Sequence, residues 1–129
     1  MSWRFLSRRA LELLHEESLA EHGGLPGLRD EGLLESALAR PHQLLAYGEP
    51  DVAALAAAYG FGLIRNHAFA DGNKRAAFLA TGLFLGLNGH RLVTSQADAT
   101  LTMLALAAGD LSEDEFAQWL CAHIQARQA

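Results

Sequence analysis

The segment Asn66-His67-Ala68-Phe69-Ala70-Asp71-Gly72-Asn73-Lys74-Arg75 runs directly into a long apolar stretch, Ala76 to Leu87. That junction constrains the fold more than any other feature of the chain. Phe78, Leu79, Leu83, Phe84 and Leu87 are spread nearly all round a helix, which predicts that other helices wrap it. The polar residues before it become a loop at the N-terminus of a central buried helix. Free backbone N–H groups and the positive end of the macrodipole make such a terminus an anion site. Gly72 gives the backbone access to positive φ, which turns successive amides toward one point. Lys74 and Arg75 add positive charge where the helix is already positive, an unfavourable placement unless something negative lies between them. A phosphate is the expected guest, with Asp71 placed to hold a magnesium ion against it.

The rest of the chain reads as helices with short connections. Ser7 to about Glu21 is the first, with Leu6, Ala10, Leu13 and Leu14 on its apolar face and Glu12, Glu16 and Glu17 toward water. Gly23-Gly24-Leu25-Pro26-Gly27 ends it. Asp30 caps a short helix from Glu31 to about Ala39, which Pro41 stops. Pro50 or Asp51 opens a helix to about Ile64, with Val52, Leu55, Tyr59 and Leu63 as its stripe and five alanines for close approach. The motif helix spans about Asn73 to Leu87 and stops at Asn88-Gly89. Ser95 caps a helix ending before Gly109. Ser112-Glu113-Asp114-Glu115 is a capping box, with Leu111 and Phe116 as its staple, and opens a last helix to about Ala126. No segment alternates for long, so the expected fold is an all-α bundle forming one domain over residues 1–129. A strand pair near Arg91-Leu92-Val93 or Trp3-Arg4-Phe5 is left open.

Bulk properties narrow the function. The formal net charge of −5 argues against direct nucleic-acid binding, which depends on neutralising phosphates. Arg4, Arg8 and Arg9 read as a solvated helix face. Cys121 is the only cysteine, so no intrachain disulfide can form; it is expected to be buried and inert. Residues 1–14 lack the apolar core of a secretory signal, and the run after Arg75 is too short for a bilayer, so the expected location is cytoplasmic. His15, His22, His42, His90 and His123 show no zinc-like spacing and take surface or cap roles by default. Trp3 and Trp119 read as packing residues. Neither a P-loop nor a dinucleotide fingerprint occurs.

His-x-Phe-x-Asp-Gly-Asn-Lys-Arg, residues 67–75, resembles the active-site motif of the Fic/Doc superfamily in its Doc (death-on-curing) form. Leu25 to Asp30, Gly32 to Pro41 and Leu87-Asn88-Gly89-His90 resemble flanking regions of that family. Ala68 stands where the family usually has Pro, which predicts a less rigid loop. Ala76 stands where Doc-like members usually have Thr.

The resemblance implies a toxin-type protein phosphotransferase. His67 is the expected catalytic base for an acceptor hydroxyl. Gly72 and Asn73 form the phosphate cradle, Lys74 and Arg75 contact phosphate oxygens, and Asp71 holds Mg2+. Phe69 anchors the loop in the core and Asn66 orients it. AMP-transferring Fic proteins typically read Gly-Asn-Gly-Arg-x-x-Arg. Here Lys74 replaces the second glycine and Phe78 the second arginine. By resemblance that pattern implies an inverted ATP and γ-phosphoryl transfer to a host protein, with elongation factor Tu the first candidate. The alternatives are AMP transfer and a silent module that only holds nucleotide or a partner. The self-inhibitory Ser/Thr-x-x-x-Glu-Gly/Asn pattern is absent after Ser7, Ser18 and Ser112. The resemblance implies an antitoxin of the Phd type supplied in trans.

Overall fold

The helix Val52–Asn66 (α3 in chain order) is the axis of the molecule. Asp51 caps it through a hydrogen bond from Ala54 N of 2.8 Å. Ten of its residues are buried, including the predicted stripe Val52, Leu55, Tyr59 and Leu63 and four of its alanines. These small side chains let neighbouring helices approach closely. A Cβ on Gly60 would lie 2.6 Å from Thr81 Oγ1 and 2.9 Å from the Phe116 ring. Two helices therefore meet α3 at that one residue.

The computed structural model describes residues 2–127. Within them α1 is Arg8–His22, α2 Glu31–Tyr47, α4 Asn73–Leu87, α5 Gln96–Ala108 and α6 Glu113–His123. β1, His90–Leu92, pairs antiparallel with β2, Ile124–Ala126, in the register Leu92 with Ile124. The fold is all-α apart from this ribbon. Ser7, Asp30, Ser95 and Ser112 cap α1, α2, α5 and α6, and Ser112 with Glu115 forms the reciprocal capping box. Leu111 and Phe116 both join the core. No helix among the described residues is long and apolar enough to cross a membrane.

Several elements differ from their sequence expectation, each for a packing reason. Pro41 does not stop α2; it lies inside it, buried on one stripe with Leu34 and Ala37. Leu44 also packs on the core. That stripe offsets the backbone hydrogen bond a helical proline forgoes. The buried face of α1 is Leu11, His15 and Ser18, whereas Leu13 is 42% exposed. Two polar residues on the inner face hid it from a count of apolar positions. α4 is less enclosed than α3, with seven buried residues against ten, and Leu79 and Leu87 reach solvent. The last helix ends at His123 because the chain then pairs with β1, Val93 N donating to His123 O at 2.7 Å. Trp3-Arg4-Phe5 forms no strand. Cys121 is exposed, not buried.

Trp3 and Trp119 do pack, beside Phe84 and Phe116. Arg8 is more than a solvated charge: it reaches Glu31 at 2.8 Å and Glu35 at 2.7 Å, tying α1 to α2. Such partly exposed pairs contribute little stability but fix orientation. Arg40 and Glu113 join α2 to α6 through two hydrogen bonds.

The crowding at Gly60 gives a direct check. Gly60→Ala should destabilise the fold by about 1–3 kcal/mol through overpacking, although alanine favours helix elsewhere. Urea unfolding measures it; an unchanged or raised midpoint would show that α4 and α6 can give way there.

Candidate active-site loop

Two left-handed residues bound the loop. His67 caps the end of α3 at φ 52°, ψ 49°, its N–H donating to Leu63 O. Gly72 caps the start of α4 at φ 75°, ψ 22°. Glycine takes this conformation freely. His67 is the one non-glycine residue at positive φ among those described, a placement with an energetic cost that the surroundings must impose.

The surroundings do so by hydrogen bonds from three directions. Residues 27–30 run alongside the loop: Arg29 N donates to Ala68 O at 2.7 Å, Asp30 N to the same oxygen at 3.1 Å, and Ala70 N to Gly27 O at 3.0 Å. Leu28 and Phe69 form the bridge. Ala68, where a proline was expected by resemblance, is fully buried and held by this ladder. The Arg29 guanidinium grips the carbonyls of His67 at 2.7 Å and Asn66 at 2.9 Å. It thereby satisfies orphan carbonyls of α3 and sets a cation at the negative end of that helix. Asn66 in turn donates to Leu33 O at 2.8 Å.

Asn73 staples the loop from inside. Its Oδ1 accepts from Phe69 N and its Nδ2 donates to Phe69 O, both at 3.0 Å. The same Nδ2 lies 3.3 Å from His67 Nδ1. An amide nitrogen can only donate, so in this contact Nδ1 accepts and the ring proton sits on Nε2. Use of Nε2 as a base requires the other tautomer. Phe69 is 2% exposed and stacks on His15 with ring centroids 3.7 Å apart.

His67, Asp71 and Lys74 are exposed, Gly72 and Arg75 half-buried. The sequence expectations thus meet in one loop, with one division of labour not foreseen. The Asn73 side chain is spent on Phe69, so what Asn73 offers an anion is its backbone N–H. At Gly72 the positive φ is as expected. Arg75 Nη2 donates to Gly23 O at 3.2 Å, while its Nε is buried without a partner. Residues His15, Arg29 and the Gly23–Leu25 backbone escaped sequence reasoning. Arg29 and Leu25 had a signal, since both lie in the stretch resembling the family.

Asp71 does not cap α4 with its side chain. Its Oδ2 accepts from Leu25 N at 3.2 Å and its Oδ1 from Gly72 N at 2.8 Å. The Leu25 amide, then the Gly72 amide, hold its carboxyl below the usual carboxylate range, with further help from Arg75 and His15. An exposed, ionised carboxylate beside a helix N-terminus fits magnesium carried in with a polyphosphate. No group of three or more His, Cys, Asp or Glu side chains suited to a metal occurs among the described residues. A magnesium ion here would draw its other ligands from substrate and water, as it commonly does.

A groove of about 950 Å3 opens beside the first turn of α4. Lys74 and Arg75 line one end, and Phe78, Leu79, Met103 and Leu104 form much of its apolar wall.

The lowered value at Asp71 predicts a pH effect of definite sign. Folding favours its ionised form, so its contribution is present in full above the unfolded value near ~4 and lost as pH falls through the folded value. Asp71→Asn should therefore melt below the wild type at neutral pH, and the gap should close on acidification. Thermal midpoints measured across the acid range test this; a gap that persists at low pH would contradict it.

Residues 5–85 match the family described as Fic/DOC. The protein kinase doc of Escherichia phage P1 is 36% identical over 118 residues, covering 91% of this chain and 93% of that protein. Toxin Doc of Mycolicibacterium smegmatis is 48% identical over 73 residues, covering 54% of this chain and 55% of that protein.

Proposed function

Because this chain belongs to the Fic/DOC family, we propose that it is a toxin-type protein phosphotransferase, moving the γ-phosphoryl group of ATP to a Ser or Thr hydroxyl of a host protein. One observation carries the reading. An exposed imidazole, His67, and the N-terminus of α4 with Lys74 and Arg75 lie on one loop braced from three sides. The name of the phage P1 relative supports the kinase class.

In this mechanism His67 takes the proton of the acceptor hydroxyl as its oxygen attacks the γ-phosphorus. The new P–O bond forms as the bond to the β-phosphate oxygen breaks, and ADP leaves. The first backbone amides of α4, Lys74 and Arg75 balance the phosphate charge. Asp71 would hold Mg2+, which when bound supplies further neutralisation of the polyphosphate. The side chains of Asn73, Phe69 and Arg29 do no chemistry; they keep the loop in place. Elongation factor Tu is the first acceptor to try, and the cytoplasm the expected setting.

The partner that restrains such an enzyme is proposed to be a small antitoxin with an apolar segment seated in the groove beside Lys74 and Arg75. Leu104, 48% exposed, and Leu79, 37% exposed, present apolar surface there. Leu104→Asp should weaken capture of the small protein encoded beside this chain by ten-fold or more in a binding titration, with transfer activity intact. Unchanged affinity would move the partner elsewhere.

The reaction is tested with purified protein, bacterial lysate, magnesium and ATP labelled separately at the γ- and α-phosphorus. Label should pass to a protein band from the γ-position only. His67→Asn, which suits a left-handed backbone, should reduce it by about a hundred- to ten-thousand-fold. Label from the α-position would instead make this an AMP transferase. Transfer from neither, with nucleotide still bound, would favour a silent binding module.

A further inference from the structure

His15 lies in the middle of α1, remote in sequence from the loop, yet it is 3% exposed and turned into the site. Its ring stacks on Phe69 at an interplanar angle of 13°. Its Nε2 lies 2.8 Å from the carbonyl oxygen of Asp71. A carbonyl can only accept, so the proton is on Nε2 and His15 is the donor.

That bond acts on the peptide joining Asp71 to Gly72. In a trans peptide the C=O and the following N–H point in opposite directions. Drawing the Asp71 carbonyl toward α1 therefore fixes the direction of the Gly72 N–H, which donates to Asp71 Oδ1 at 2.8 Å. Nothing in the covalent chain enforces this choice. Gly72 tolerates φ of either sign, so this peptide is the one in the loop free to rotate by a half-turn. The rotated form would present a carbonyl dipole where an anion is to bind and would release the Gly72 N–H from the Asp71 carboxylate. A Cβ at Gly72 would stand 3.6 Å from His15 Nε2 and 3.4 Å from Leu19. These are ordinary van der Waals distances, so Leu19 and His15 line that residue without crowding it.

We propose that His15 is a positioning residue for phosphate binding: its Nε2–H holds the Asp71 carbonyl away from the anion site and keeps the Gly72 N–H on the Asp71 carboxylate. The role acts on ground-state nucleotide binding and leaves the base, His67, untouched. His15 is thereby separated from His67, whose loss strikes turnover. The inference rests on the nucleotide reading above for its ATP arm only, since the peptide orientation can be observed without any ligand.

The test compares His15→Phe, which keeps the ring stack but has no donor, with His15→Gln, whose amide nitrogen reaches about as far as Nε2. In His15→Phe the Gly72 amide should exchange with solvent at least ten-fold faster by NMR. Affinity for magnesium and the non-hydrolysable analogue AMP-PNP, measured by calorimetry, should fall by up to about ten-fold, the scale of one lost neutral hydrogen bond. In turnover the same change should appear as a higher KM for ATP with kcat nearly preserved. His15→Gln should restore most of each effect. Wild-type protein gives an independent reading: a slowly exchanging His15 Nε2–H signal with a cross-relaxation contact to Gly72. Absence of that signal, or wild-type Gly72 exchange and affinity in a folded His15→Phe, would overturn the proposal. So would a His15→Gln as impaired as His15→Phe. If Gly72 responds but AMP-PNP binds to none of the proteins, including the wild type, the positioning stands and the nucleotide reading is the one that fails.

Discussion

The hydrogen bonds between the Asn73 side chain and both backbone groups of Phe69 are the constraint on which the site depends. They close the loop across its base and fix the first residue of α4 to the middle of the turn. Because Asn73 is 5% exposed, these bonds form where water cannot compete, and leaving either amide group unpaired there would be costly. Once they are in place, the carboxylate of Asp71 and the imidazole of His67 have few positions to occupy. The candidate reactive side chains His67 and Asp71 are exposed, while Asn73, Phe69 and His15 are buried behind them.

That arrangement extends outward through segments distant in sequence. Residues 27–30 supply the backbone ladder, α1 supplies His15, and the Arg29 guanidinium joins the end of α3 to the connection before α2. The loop thus has support independent of a proline at position 68. Below it, α3 with its alanines and Gly60 brings α4 and α6 into contact at close range. A packed core of this kind resists small displacements, which is what a base and a phosphate site sharing one loop require.

Much of this was legible in the residues. Local signals read well: the Ser and Asp caps, the capping box at Ser112, the left-handed Gly72 and the stripe of α3 each state their structure within a few positions. Readings failed where a distant partner decided the outcome. Pro41 looks like a stop, and only the packing of α2 on its neighbours shows why the helix continues. His15 and Ser18 look like surface residues until the loop and the groove are placed against α1. The end of α6 depends on β1, more than thirty residues away in the chain. For the site, the motif named the candidate reactive groups, yet the use of the Asn73 side chain as a staple follows from a fold that no spacing encodes.

The left-handed backbone at His67 has an evolutionary consequence. Most side chains are disfavoured there, whereas Asn, Asp and Gly accept it. Histidine codons become Asn or Asp codons by one nucleotide change. A gene copy under pressure to lose this loop's chemistry therefore has a short route that keeps the conformation intact. Descendants that have abandoned catalysis but kept the fold should carry asparagine or aspartate at this position far more often than alanine or valine.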